Sequence, residues 1–157
     1  MRNNNVTVWT MGLTMSSSGS VIDGNTFTSP DPLEGIGIEF ASAAETLIVN
    51  NTFADYKLGF FYSGGSAGNN CIYLNSFIDN WDIEQNGADR YNSTEPVPYT
   101  YNGQTYSSPL GNYWSTYDGW YAEDANGNGI GDTPYGCDGY PLMGPWNNGE
   151  ITYLGGE

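Results

Sequence analysis

Nine residues near the C-terminus carry the clearest chemical pattern in this chain: Asp124-Ala125-Asn126-Gly127-Asn128-Gly129-Ile130-Gly131-Asp132. Asp124, Asn126, Asn128 and Asp132 place side-chain oxygens at loop positions 1, 3, 5 and 9. Gly129 falls at position 6, where the chain must turn sharply, and Ile130 at position 7, where a backbone carbonyl is the usual ligand. This is the oxygen spacing of an EF-hand-type loop, built to surround a hard cation. The pattern therefore predicts Ca²⁺ held by Asp124, Asn126, Asn128, the Ile130 carbonyl and Asp132. Position 12 is Tyr135 rather than a bidentate Glu. Asp118, Glu123 or Asp138 could supply a missing oxygen. Pro134 and the lack of a flanking helical period exclude a true EF-hand, so the competing expectation is a metal-free Gly/Asn turn.

A second candidate is a pair of acids. Asp55 and Asp79 occupy equivalent places in a repeat described below, which predicts carboxylates one strand spacing apart, about 5 Å. That separation resembles a retaining glycosidase pair. Against catalysis, the chain has no His and only three Lys and Arg together. The commonest general base is missing, and a lyase acting on acidic sugars would lack charge neutralisers. Acids at outward strand positions are commonly just solvated. The chain is expected not to be an enzyme, with a polysaccharide hydrolase, lyase or epimerase as the alternative and Asp55 and Asp79 as its candidates.

The elements that must position these residues come from repetition. Val21-Ile22-Asp23-Gly24-Asn25-Thr26-Phe27, Leu47-Ile48-Val49-Asn50-Asn51-Thr52-Phe53 and Cys71-Ile72-Tyr73-Leu74-Asn75-Ser76-Phe77 are one pattern written three times. A step in this range marks stacked supersecondary units. In register with it run Met11-Gly12-Leu13-Thr14-Met15, Ile36-Gly37-Ile38-Glu39-Phe40, Leu58-Gly59-Phe60-Phe61-Tyr62 and Trp81-Asp82-Ile83-Glu84-Gln85. Their period-2 alternation predicts strands with one buried face. The repeat is too short for a strand-helix-strand unit. The solution is an all-β, right-handed parallel β-helix of about three to four coils over residues 1–85.

Inside the coils, Ile22, Ile48 and Ile72 should stack, as should Phe27, Phe53 and Phe77. Asn25, Asn51 and Asn75 should sit at the bend, tolerating left-handed angles and bonding along the stack as an Asn ladder. A partial first coil is expected with Asn4-Asn5-Val6 in the Asn-Thr-Phe place. Ser29 to Glu34 read as an inserted loop.

Residues 86–157 change character: ten of the 13 Tyr and three of the five Trp lie there. This aromatic, loop-rich segment is expected to cap the last coil, whose edge must be covered, with Trp114, Trp120 and Trp146 packing it down.

Composition bounds the partners. Formal charge is −15, which repels nucleic acid and anionic membrane surfaces. No run of about 18 apolar residues suggests membrane insertion, and Met1 to Asn5 lack the apolar region of a signal peptide. Three glycosylation sequons begin at Asn5, Asn50 and Asn92. Cys71 and Cys137 are either a disulfide or two separate thiols.

Gly111-Asn112-Tyr113-Trp114-Ser115, the acidic loop, Thr133-Pro134-Tyr135 and Asp138-Gly139-Tyr140-Pro141-Leu142-Met143 together resemble the C-terminal signature of NosD-like right-handed parallel β-helix proteins. Such proteins are found among secreted and surface proteins of archaea and some bacteria. The resemblance implies an extracellular or cell-surface β-helix, and a family tied to copper delivery. Copper sites favour His, Cys or Met ligands. With no His, and with Met1, Met11, Met15 and Met143 in no evident cluster, Ca²⁺ is expected here and copper is not. The functional expectation is a non-catalytic, calcium-stabilised envelope or surface module for structure, adhesion or glycan contact. Glycans or envelope proteins are its expected partners, and head-to-tail self-association through an exposed first coil is the third alternative.

Overall fold

The computed structural model describes residues 1–65, 67–117, 122–146 and 151–154. In chain order the strands are β1 (Asn5–Thr7), β2 (Met11–Met15), β3 (Val21–Asp23), β4 (Thr26–Thr28), β5 (Ile36–Phe40), β6 (Leu47–Val49), β7 (Thr52–Ala54), β8 (Leu58–Tyr62), β9 (Cys71–Tyr73), β10 (Ser76–Ile78), β11 (Val97–Tyr101), β12 (Gln104–Ser108), β13 (Tyr113–Trp114) and β14 (Ile151–Tyr153). They form an all-β solenoid of about three turns with parallel sheets. One sheet runs β1-β4-β7-β10-β13, a second β2-β5-β8 and a third β3-β6-β9. A small antiparallel sheet, β12-β11-β14, stands beside them.

The repeat sets this register. Ile22 pairs with Ile48 and Ile48 with Ile72; Val6 pairs with Phe27, Phe27 with Phe53 and Phe53 with Phe77. Each is the middle residue of a three-residue strand, so its side chain points inward while its neighbours point out. The rings stack nearly parallel at one coil spacing: 5.0 Å for Phe27–Phe53 and 5.3 Å for Phe53–Phe77. Phe40 and Phe60 fill the wall made by the second sheet, Phe60 standing edge-on to Phe53 at 5.1 Å. Such paired faces and edges satisfy the ring quadrupoles while removing large apolar areas from water.

The Asn ladder is present and longer than three members. Asn4 Nδ2 donates to Asn25 Oδ1 (3.0 Å), Asn25 Nδ2 to Asn51 Oδ1 (2.9 Å), Asn51 Nδ2 to Asn75 Oδ1 (3.0 Å) and Asn75 Nδ2 to Asn112 Oδ1 (3.0 Å). Each receiving oxygen also accepts the backbone N–H of the Asn before it. The left-handed angle lies one residue earlier than expected. It falls on Asn3 (φ 52°), Gly24 (67°), Asn50 (60°) and Leu74 (56°). That turn aims the following Asn amide along the stack. Leu74 holds an angle that branched side chains rarely adopt, and the two ladder bonds of Asn75 hold it there.

Two further readings are corrected. Parallel pairing continues past residue 85. Arg90 bridges Cys71, and Phe77 pairs with Trp114, whose indole extends the ring stack at 4.4 Å. Trp114 is thus core of a further coil. Trp146 is buried with Leu74, Tyr99, Leu110 and Leu142 in a second cluster, and Trp120 lies outside the described residues. The fourth copy is also shifted by one residue. Leu58 bridges Asp82, so Trp81 stands opposite Lys57 at a corner instead of facing inward.

Candidate functional site

The ladder determines where the buried charges sit. Asn112 is its last amide, and beyond it stands Asp138, fully buried. Asp138 Oδ2 accepts the backbone N–H of Asn112 (2.8 Å), its Nδ2–H (3.4 Å) and Trp114 Nε1–H (2.8 Å). Oδ1 accepts Tyr140 N–H (3.0 Å). An ionised carboxylate is an acceptor only. It can receive the ladder and cannot pass it on, so Asp138 closes the stack. Burial pushes its pKa up to about 6, and the donors from Trp114, Asn112 and Tyr140 pull it back down. With both oxygens occupied in the core, Asp138 does not supply the acidic loop with the oxygen the sequence suggested.

A shorter ladder ends the same way. Thr46 N–H donates to Asn70 Oδ1 (3.0 Å), and Asn70 donates N–H (2.8 Å) and Nδ2–H (3.1 Å) to Asp89 Oδ1. Asp89 Oδ2 accepts the Tyr62 hydroxyl, which also lies 3.2 Å from the Tyr91 hydroxyl. Burial is the main cause holding both phenols above their ordinary range, Tyr91 at about 12. Both phenols therefore stay protonated and act as donors. Reading the sequence by its repeats missed Asp89, Asn70 and Asn112. Asn112 carried a signal, since Asn112-Tyr113-Trp114 repeats the spacing of Asn75-Ser76-Phe77.

The acidic loop folds on itself. Asp124 Oδ1 accepts Asn128 N–H (2.9 Å) and Oδ2 accepts Gly129 N–H (2.8 Å). Asn126 Oδ1 accepts Asn128 N–H (3.0 Å), Asn128 Oδ1 accepts Ile130 N–H (2.9 Å) and Asp132 Oδ2 accepts Ala125 N–H (2.8 Å). Gly127 (φ 67°) and Gly129 (83°) supply the left-handed turns. Tyr99 and Tyr106 of the hairpin donate their hydroxyls to the Asn128 and Gly127 carbonyls, at 2.8 and 2.9 Å. Ile130 is buried and bridges Leu142. The loop thus ties the hairpin to the closing coil. Asp118 lies outside the described residues.

Asp55 and Asp79 stand at successive corners with positive φ, 62° and 51°. Asp79 N–H donates to Ser115 Oγ (2.9 Å) and Asp55 N–H to the Ile78 carbonyl (3.1 Å). Short acids are among the residues that tolerate left-handed corners, which accounts for both positions. Cys71 and Cys137 are free thiols, the first half-buried and the second exposed. Burial raises the Cys71 pKa, against a smaller lowering by Arg90.

Compared with known families, residues 1–119 match the model described as "Periplasmic copper-binding protein (NosD)". No curated protein and no solved structure gives a significant match. The family match overturns the cofactor expectation: calcium in preference to copper does not stand for a chain whose family is described as copper-binding. The copper itself must still be tested against the donors present. The chain has no His. Met15 is core, Met143 packs against the core, and Met11 Sδ accepts the Thr14 hydroxyl (2.6 Å). Among the described residues no group of three or more His, Cys, Asp or Glu side chains gathers. The residues described do not fit a copper centre, and no step below runs through one.

Proposed function

The chain belongs to the NosD family, and from that membership we propose that it is a non-catalytic β-helix module of the cell envelope, serving structure and contact with glycans or other envelope partners. The family is one of periplasmic proteins, which sets the coarse location outside the cytoplasm. The observation that carries the reading is the fate of the buried acids. Catalytic acids need a free oxygen facing a reacting atom. Asp138 and Asp89 instead spend their oxygens on ladder ends, a phenol and an indole. The wall they stabilise is rigid: stacked amides and stacked rings run in parallel along the axis.

The acceptor-only end of the ladder supports a single module over head-to-tail copies, because Asp138 has no amide to donate to the next Asn4. Incubation with a broad panel of polysaccharides, followed by chromatography of the products, tests the non-catalytic reading. No release is expected. Release abolished by Asp55→Asn or Asp79→Asn would replace this reading with a hydrolytic one.

A further inference from the structure

One corner of the solenoid carries three of the large apolar side chains that the described residues leave exposed. The register places them there. Ile36 N–H donates to the Thr10 carbonyl (2.8 Å), Leu58 N–H to Gly35 (3.2 Å) and Asp82 N–H to Lys57 (3.1 Å). Thr10, Gly35, Lys57 and Trp81 therefore form one column up the corner, and Trp9, Glu34, Tyr56 and Asn80 form the column beside it. Trp9 is 63% exposed on the first coil, Leu33 56% on the second and Trp81 71% on the fourth. Coils repeat about every 4.8 Å, so Trp9 and Trp81, in adjacent columns, lie three steps apart along the axis, roughly 14 Å. At its far end the corner meets a concavity of about 90 Å³ lined by Asn80, Trp81, Asp82, Ile83, Thr116 and Tyr135.

We propose that this corner binds a neutral, linear polysaccharide, whose sugar rings lie against Trp9 and Trp81. The inference deepens the contact-module reading and rests on it. An indole offers a flat apolar face to the C–H face of a sugar ring and leaves its edge polar. Glu34, Lys57 and Asp82, all exposed along the same corner, can bond hydroxyls. The ligand is neutral because the chain carries −15 with only three basic residues, which repels uronates and sulfated sugars. It is linear because the exposed apolar side chains are strung along the corner over four coils, in neighbouring columns with Glu34 and Lys57 between them, and make no continuous patch. A globular partner would need a broad contiguous patch.

The test is affinity electrophoresis of the full chain through gels holding neutral β-glucan, galactomannan or anionic polygalacturonate. Retardation is expected in at least one neutral gel and not in polygalacturonate. Trp81→Ala should weaken it about tenfold and Trp9→Ala/Trp81→Ala should abolish it, with melting temperatures unchanged because both side chains are exposed. Tyr140→Ala, away from the corner, should migrate like the parent. No retardation in either neutral gel, or retardation that survives the double substitution, overturns the site. Trp-dependent retention on a phenyl matrix without retardation by glycan also overturns it and marks a protein contact. Trp-dependent retardation accompanied by product release keeps the site and overturns the non-catalytic reading instead.

Discussion

Asp138 receives from Asn112 the same pair of bonds, backbone N–H and side-chain Nδ2–H, that every Asn of the ladder gives to the next. The closing acid is isosteric with the amide it replaces. It differs in having nothing to donate, and that difference ends the solenoid. Replacing it with Asn sets an NH₂ group against either Tyr140 N–H or the Asn112 and Trp114 donors. Asp138→Asn is expected to cost about 1 to 3 kcal/mol, read as a lower urea midpoint at an unchanged slope.

The same acid makes stability depend on pH. Burial raises its pKa from 3.8 to about 6 in the folded chain, so the folded form holds this proton more tightly than the unfolded one. Its contribution is complete below about pH 4 and is lost as pH rises through about 6, an effect on the order of 3 kcal/mol. Denaturant midpoints measured from pH 4 to 8 should fall with rising pH more steeply for the parent than for Asp138→Asn. Parallel profiles would remove Asp138 as the cause.

Ladder position should set the cost of a charge. Asn51 Nδ2 donates toward the Ile22 and Val49 carbonyls and Asn75 Oδ1. Asn51→Asp puts a carboxylate against three acceptors in a buried site, an expected loss of about 3 to 5 kcal/mol. Asn4 lies at the exposed open end, and Asn4→Asp should cost less than about 1 kcal/mol. Urea unfolding of the two variants gives the comparison.

Tyr56 is fully buried, and its hydroxyl has no hydrogen-bond partner among the described residues. Tyr56→Phe keeps the ring and removes an unpaired polar atom, so it should raise stability by about 1 kcal/mol. A lower melting temperature by calorimetry would show that the hydroxyl is satisfied in solution.

Glycines of the second sheet let carbonyls tuck where side chains would stand. A Cβ on Gly37 would lie 2.5 Å from the Gly59 carbonyl oxygen and 3.1 Å from Phe53 Cδ1. Gly37→Ala should cost about 1 to 3 kcal/mol, whereas at Gly139 a Cβ meets nothing within 4 Å. Gly139→Ala, measured alongside, should be nearly neutral.

The coils were legible because identical residues recur where coils stack. Phe27, Phe53 and Phe77 must fill one column, and so must Asn25, Asn51 and Asn75, so the fold writes its period into the sequence. The continuation to Trp114 was hidden by the β11–β12 hairpin, inserted between Asn75 and Asn112. The ladder ends were hidden for a chemical reason: a terminal member needs acceptors only, so it is Asp and breaks the repeat. Trp81 was misplaced because an exposed corner residue imposes no pattern on its neighbours. The acidic loop reads in the sequence as a calcium loop, with a metal-free Gly/Asn turn as the alternative, while its hydrogen bonds to the hairpin depend on Tyr99 and Tyr106, more than 20 residues away.

Side-chain amide hydrogen exchange by NMR tests the central claim most directly, that Asn25, Asn51, Asn75 and Asn112 form one structural ladder closed by Asp138. The Nδ2 protons of Asn25, Asn51, Asn75 and Asn112 should exchange only through global unfolding, with one shared free energy, while those of Asn4 exchange rapidly. Fast exchange at Asn75 and Asn112, with slow exchange confined to Asn25 and Asn51, would contradict the account. It would mean that the ladder stops before Asp138 and that this acid is free for another role.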